Sequence, residues 1–213
     1  MANWLNTTFA GFDGGIFKAV SGIAGEGLNK LCSFISFFGE KGWLALLTGL
    51  ILLLFAKTRK VGFAVLFAVA VGALFTNIIL KEAVARPRPY KELEYVVYWL
   101  KAGATVESEF SFPSGHTTAI TAGAVAIFIS CNKKWSFLPL IFAFIMGFTR
   151  VYLIVHYPTD VIAGFIVGTV GGIAGYFISK AIMNFASKRK GKGFFKFLVK
   201  ADICNLFKKK KSK

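Results

Sequence analysis

The sequence predicts an all-α, polytopic membrane bundle of five to six transmembrane helices with an N-terminal amphipathic segment. Three observations predict it. The 213 residues are 55% hydrophobic with a mean hydropathy of +0.62, well above an ordinary soluble domain. Across residues 110–201 the only carboxylate is Asp160, and a water-exposed surface cannot be covered so bare of acids. Five apolar stretches, residues 42–56, 61–80, 117–130, 136–155 and 161–183, have the character of spans.

Of these, the second, fourth and fifth approach or exceed the roughly 20 residues that a bilayer core requires. The first and third are short and need tilt or help from flanking residues. Arg150 lies inside the fourth, so that helix must end at a polar cavity, because an arginine at lipid depth costs roughly 3 kcal/mol or more. In the fifth, Gly164, Gly168, Gly171, Gly172 and Gly175 let neighbouring helices approach closely and carry no chemistry. Ahead of the spans, Ile16, Val20, Ile23, Leu28, Leu31, Ile35 and Phe38 recur at helical spacing, broken at Gly25-Glu26-Gly27. This N-terminal part, 1–41, reads as an interfacial amphipathic pair, with a weak sixth span as the alternative.

Orientation follows from the bases. Lys57, Arg59 and Lys60 separate spans one and two, and Lys133 and Lys134 separate three and four. The stretch 184–213 carries eleven basic residues and one acid, the larger part of the net charge of +16. All three segments belong in the cytoplasm, the tail facing anionic lipid. Charge concentrated in a tail beside a span excludes a nucleic-acid-binding face. The loop 81–116 balances five bases (Lys81, Arg86, Arg88, Lys91, Lys101) against five acids (Glu82, Glu92, Glu94, Glu107, Glu109). It belongs on the extracytoplasmic side with the turn 150–160. The chain is thus one membrane-embedded domain, 1–183, with a basic tail, 184–213, in the plasma (inner) membrane. Cys32, Cys131 and Cys204 have neither metal nor disulfide spacing, and residues 1–15 lack the basic and apolar regions of a signal peptide.

Polar groups cluster at three span ends on that outer side. Lys81 to Pro89 follows span two, Pro113-Ser114-Gly115-His116 opens span three, and Thr149 to Asp160 bridges spans four and five. Lys81, Arg88 and Arg150 are cations suited to phosphate oxygens, arginine as a planar fork and lysine as a point charge. Ser114 is a good helix cap, Gly115 allows close backbone approach, and the first N–H groups of a helix form an anion site. His116 sits in that first turn, placed to give a proton to a departing oxygen. His156 precedes Pro158, where the helix breaks. Asp160 can accept from one imidazole nitrogen and leave the other free to attack.

Each feature has a plainer reading when taken alone. A single arginine can snorkel or pair, a single histidine can be a satisfied polar group, and Asp160 can cap span five by its charge. Tyr90, Tyr95, Tyr98 and Trp99 read more simply as an interfacial belt than as a gate for lipid entry. The conjunction of both histidines, the one deep acid and three cations on one side is what favours chemistry.

Lys81-x6-Arg88-Pro89, Pro113-Ser114-Gly115-His116 and Arg150-x5-His156-x3-Asp160 together resemble the three-part signature of the type 2 phosphatidic acid phosphatase family. That family also includes vanadium-dependent haloperoxidases and glucose-6-phosphatase. The resemblance implies that His156 forms a phosphohistidine, oriented by Asp160, and that His116 protonates the leaving group and then activates water. It assigns the phosphoryl group to Lys81, Arg88, Ser114, the Gly115 N–H and Arg150, and it implies no metal and no cofactor. Arg86 falls outside the strict spacing and is the weaker site candidate. One departure is Thr149, where the family usually has serine; a similar hydroxyl bond to phosphate is expected. The implied function is a membrane lipid phosphate phosphatase, and polyprenyl diphosphate is favoured over phosphatidylglycerol phosphate, phosphatidic acid and diacylglycerol diphosphate. The five spans argue against a vanadate-dependent peroxidase, and an intact His116, His156 and Asp160 set argues against a protein that only binds or transports phospholipid.

Overall fold

The computed structural model describes residues 1–131, 134–189 and 193. Among these no strand occurs. The helices are α1 (Ala2–Thr8), α2 (Ala10–Gly22), α3 (Glu26–Phe37), α4 (Trp43–Leu53), α5 (Arg59–Ala73), α6 (Lys81–Val84), α7 (Leu93–Ala102), α8 (Gly115–Ser130), α9 (Leu138–Tyr152) and α10 (Pro158–Lys188). A π-helical segment, Leu74–Leu80, joins α5 to α6, and 3-10 turns lie at Glu40–Gly42 and Pro89–Lys91.

Small residues set the architecture. α5, α8 and α10 form the central trio, with Ala64, Ala68, Ala122 and Ala126 fully buried between them. A Cβ at Gly168 would sit 2.7 Å from the Thr118 carbonyl oxygen of α8, and one at Gly175 would sit 2.4 Å from the Ala64 carbonyl oxygen of α5. Only glycine permits that approach, as expected where helices associate by backbone contact in lipid. α4 packs against α5, and α9 against α8. The perimeter exposes large apolar side chains, among them Leu50, Phe144, Ile166, Val170 and Phe177, the pattern of a protein that lipid solvates. Three helical runs are long and apolar enough to cross a membrane: Glu26–Leu53, Arg59–Lys91 and Pro158–Lys188. Gly115–Ser130 and Leu138–Tyr152 are apolar but shorter.

Three expectations change. First, residues 1–41 do more than lie on a bilayer. α2 buries Asp13, Phe17 and Val20, and α3 buries Cys32 and Ser36, while Leu31, Phe34 and Phe37 stay exposed on the far face. The amphipathic pattern here separates protein from lipid. α3 also continues into α4 through one turn whose Lys41 and Gly42 are left-handed (φ 48° and 70°), so the first long run begins at Glu26. Second, the loop 81–116 contains α6 and α7. Third, Tyr90 and Tyr95 form no interfacial belt: both are buried, with Tyr95 packed on Phe17 and Tyr90 on Trp99, each at 4.9 Å between ring centres. α2 covers α7 and takes its aromatic face into the core. Lys133 and, beyond Arg189, all of the basic tail except Gly193 lie outside the described residues.

Candidate active site

The first group of side chains comes from the end of α5. The π-helical segment carries an extra residue per turn and so re-aims everything after it, a feature common near functional sites. Lys81 follows directly and is buried, in an ion pair with Glu109. α6 then ends at Ala85 in the left-handed region (φ 51°). Pro87 and Pro89 hold the chain extended, which carries Arg86 and Arg88 inward, both at most 2% exposed. Arg88 donates from Nε to the Glu109 carbonyl and from Nη1 to the Val155 carbonyl, each at 2.8 Å.

Ser114 caps α8. Its Oγ accepts from the Thr117 amide at 3.5 Å and from the Thr117 hydroxyl at 2.9 Å, while its own N–H donates to the Asp160 carbonyl at 3.1 Å. The last bond ties the start of α8 to the start of α10. Gly115 and His116 occupy the first turn, where N–H groups have no intrahelical acceptor.

The third group depends on how α9 ends. Ile154 turns left-handed (φ 54°), and the N–H groups of Val155 and His156 both donate to the Arg150 carbonyl at 3.3 Å. This closure sets the six-residue separation of Arg150 and His156. Arg150 is buried, bonded to Ser36 of α3 and paired with Glu107. The Thr149 hydroxyl donates to the Met146 carbonyl at 2.8 Å, back along its own helix.

His156 is 1% exposed, and its Nε2 lies 2.8 Å from Nη1 of Arg88. A guanidinium can only donate, so Nε2 is the unprotonated nitrogen and the proton sits on Nδ1. Burial, together with Arg88 and Arg150, holds the imidazole well below its usual range and therefore neutral. The lone pair of Nε2 thus faces the arginine cluster. Nδ1 has no hydrogen-bond partner and stands 3.7 Å from Oδ2 of Asp160. The expected direct bond from His156 to Asp160 is therefore not formed, because Oδ2 already accepts from Ser111 and from the Tyr157 N–H at 3.0 Å. Asp160 does cap α10, in keeping with the plainer reading, and it also faces the imidazole.

Two cavities flank the site. One, of about 350 Å³, is lined by Ser36, Glu107, His116, Arg150 and Val155. The other, of about 390 Å³, is lined by Asn77, Lys81, Arg88 and Glu109. The segment 105–110 runs along both, and its two carboxylates meet every cation expected to bind phosphate: Glu109 pairs with Lys81, and Glu107 with Arg150 and, at 3.6 Å, with Arg88. Lys81 holds the Glu109 carboxyl below its usual range. Among the described residues no group of three or more His, Cys, Asp or Glu side chains is placed to hold a metal ion.

Residues 61–184, more than half of the chain, match the PAP2 superfamily. The chain belongs to the PAP2 superfamily. Similar proteins include an undecaprenyl-diphosphatase of Sulfolobus acidocaldarius, 32% identical over 75% of this chain and 74% of that one. A lipid A 4'-phosphatase of Bacteroides thetaiotaomicron is 32% identical over 68% and 67%. Among solved structures, a PAP2-type phosphatidylglycerolphosphate phosphatase from Bacillus subtilis superposes with a TM-score of 0.63 at 27% identity, covering 82% of this chain and 86% of that one. The protein is accordingly a membrane lipid phosphatase of the PAP2 superfamily, and its fold is that of its neighbours.

All eight residues expected at a PAP2 site gather at one end of the bundle, where α6 and α9 finish and α8 and α10 begin. Ser36, Ser111, Glu107 and Glu109 also contact these residues, and Arg86 and Asp13 lie behind Asp160; none of the six was among the site residues expected from the sequence. Only Arg86 left a signal, its place two residues before Arg88 in an alternating Arg-Pro stretch. The others reach the site from loops and helices distant in sequence.

Proposed function

We propose that the protein hydrolyses a lipid diphosphate, with polyprenyl diphosphate favoured, at the extracytoplasmic face through a phosphohistidine on His156. The observation that carries this reading is the 2.8 Å contact between Arg88 and Nε2 of His156 at the meeting point of the three cations. The substrate's terminal phosphoryl group replaces Glu107 and Glu109 among Lys81, Arg88 and Arg150, completed by Ser114 and the Gly115 N–H. Nε2 of His156 then attacks phosphorus while the bond to the leaving oxygen breaks, and His116, which takes up a proton from water as the negative substrate enters among the cations, gives it to that oxygen. Asp160 stabilises the ring, which carries positive charge once its second nitrogen is substituted. In the second half, His116 takes a proton from water, the water oxygen bonds to phosphorus, the N–P bond breaks and inorganic phosphate leaves. Preorganised cations that meet the developing charge supply most of the acceleration.

Two named undecaprenyl-diphosphatases among the relatives support the polyprenyl substrate, while phosphatidylglycerol phosphate remains the main competitor because of the structural neighbour. The charge distribution along the chain supports the sidedness. Phosphate release from a panel of polyprenyl diphosphate, phosphatidylglycerol phosphate and phosphatidic acid, in detergent with EDTA, tests it. Polyprenyl diphosphate should turn over fastest, and His156→Ala should abolish release from every substrate. Near-wild-type release by His156→Ala would sink the nucleophile assignment, and loss of activity in EDTA would sink the metal-free one.

A further inference from the structure

Behind Asp160 lies a charged group that phosphate binding does not use. Arg86 is 1% exposed and sits between two carboxylates, Asp13 at 1% and Asp160 at 0%. Each of its three nitrogens donates: Nε to Asn6 Oδ1 at 2.8 Å, Nη1 to Thr159 Oγ1 and Asp160 Oδ1 at 2.7 Å each, and Nη2 to Asp13 Oδ2 at 2.9 Å. Its Cζ lies 3.6 Å from the ring centre of Tyr157. Asp13, on α2, accepts in addition from the Thr159 N–H at 3.0 Å and the Thr159 hydroxyl at 2.8 Å. It therefore caps the first turn of α10 from another helix. Asp13 also lies outside the residues 61–184 that match the superfamily.

We propose that Arg86, held in place by Asp13, is a positioning residue that sets the Asp160 carboxylate against the ring of His156 and so makes α2 part of the active site. The proposal rests on reading His156 as the nucleophile. Three charges out of water are costly unless each is bonded, and here Arg86 bonds Asp160 and Thr159 while Asp13 accepts from Thr159 in the first turn of the same helix. Arg86 reaches Oδ1 of Asp160, Ser111 and the Tyr157 N–H reach Oδ2, and the carboxylate has no freedom to turn from Nδ1. Two carboxylates around one guanidinium also leave a formal excess of one negative charge beside the imidazole, which gains positive charge when Nε2 bonds to phosphorus. Arg86 itself opens toward a different cavity, lined by Asn6, Asp13, Glu92, Tyr95 and Tyr157, and lines neither of the two that hold the phosphate cations. It acts through Asp160 and does not touch substrate.

The test uses the full chain in detergent with the best lipid phosphate of the panel. Arg86→Lys keeps the charge and loses the fork, and displacement of a catalytic group by about 1 Å costs roughly a hundredfold. We expect kcat to fall by that factor with KM and melting temperature near wild type. Arg86→Ala should regain part of its kcat in added ethylguanidinium and none in ethylammonium. Asp13→Asn should lower kcat by roughly tenfold, again at constant KM. Wild-type kcat in a folded Arg86→Lys overturns the proposal, as does a loss that appears wholly in KM. If Arg86→Lys does not fold, Asp13→Asn decides, and unchanged kcat there overturns it. The His156→Ala control separates the two readings: an inactive His156→Ala with a fully active Arg86→Lys removes only the role of Arg86.

Discussion

Glu107 touches both arginines of the proposed phosphate site and Glu109 touches its lysine, so in that proposal two carboxylates stand where phosphate oxygens would. Any anion entering must displace them. Glu107→Gln removes the competing charge but keeps a polar side chain of the same shape. It should tighten competitive inhibition by inorganic phosphate roughly tenfold, about 1.4 kcal/mol; an unchanged or weaker inhibition constant would show that Glu107 does not compete. The imidazole of His156 makes a second residue-scale prediction. Burial first, and the two arginines second, lower its pKa. As pH falls, protonation of Nε2 removes the lone pair proposed to attack, and a lowered pKa moves that event below the ordinary value of about 6.5. A nitrogen-15 titration of the free protein should find His156 neutral at pH 6.5, and half-protonation at that pH would contradict the site described here.

At the scale of elements, the site is an assembly of helix ends. The π-helical segment aims Lys81, the cap at Ser114 starts α8, the left-handed Ile154 stops α9, and Asp160 caps α10. These ends stay together because α10 presses its glycines onto α5 and α8. At Gly175 an added methyl would meet backbone on the opposing helix at 2.4 Å, which no rotamer change can relieve. Gly175→Ala should therefore destabilise the protein by about 1–3 kcal/mol, read as a lower melting temperature in detergent. Gly11→Ala is the control, since nothing lies within 4 Å of that position and alanine is the better helix former.

The whole molecule places its three motifs at one end and the connection between α4 and α5 at the other. The proposed orientation puts the bases that begin α5 in the cytoplasm and the site on the opposite side. Lys101 is exposed on α7, beside the site. Lys101→Cys, in a background without Cys32, Cys131 and Cys204, should react with a membrane-impermeant maleimide in intact cells. Labelling only after permeabilisation would reverse the orientation.

The one-dimensional pattern was enough for the helical membrane class and for the cluster of Lys81, Arg88, Ser114, Gly115, His116, Arg150, His156 and Asp160. Spans alternate direction, so motifs at alternate span ends must share a side, and local chemistry such as Ser114 before a helix or Pro158 after a break is written in neighbours. Long-range pairing has no such signature. Asp13 lies 73 residues from Arg86, and Ser36 lies 114 from Arg150. Amphipathic spacing in residues 1–41 could not tell a lipid surface from a protein one, because both reward the same apolar stripe. Tertiary structure alone decided that α2 and α3 close over the site, that the acids of residues 105–110 occupy its cations, and that Asp160 answers to Arg86 as well as to His156.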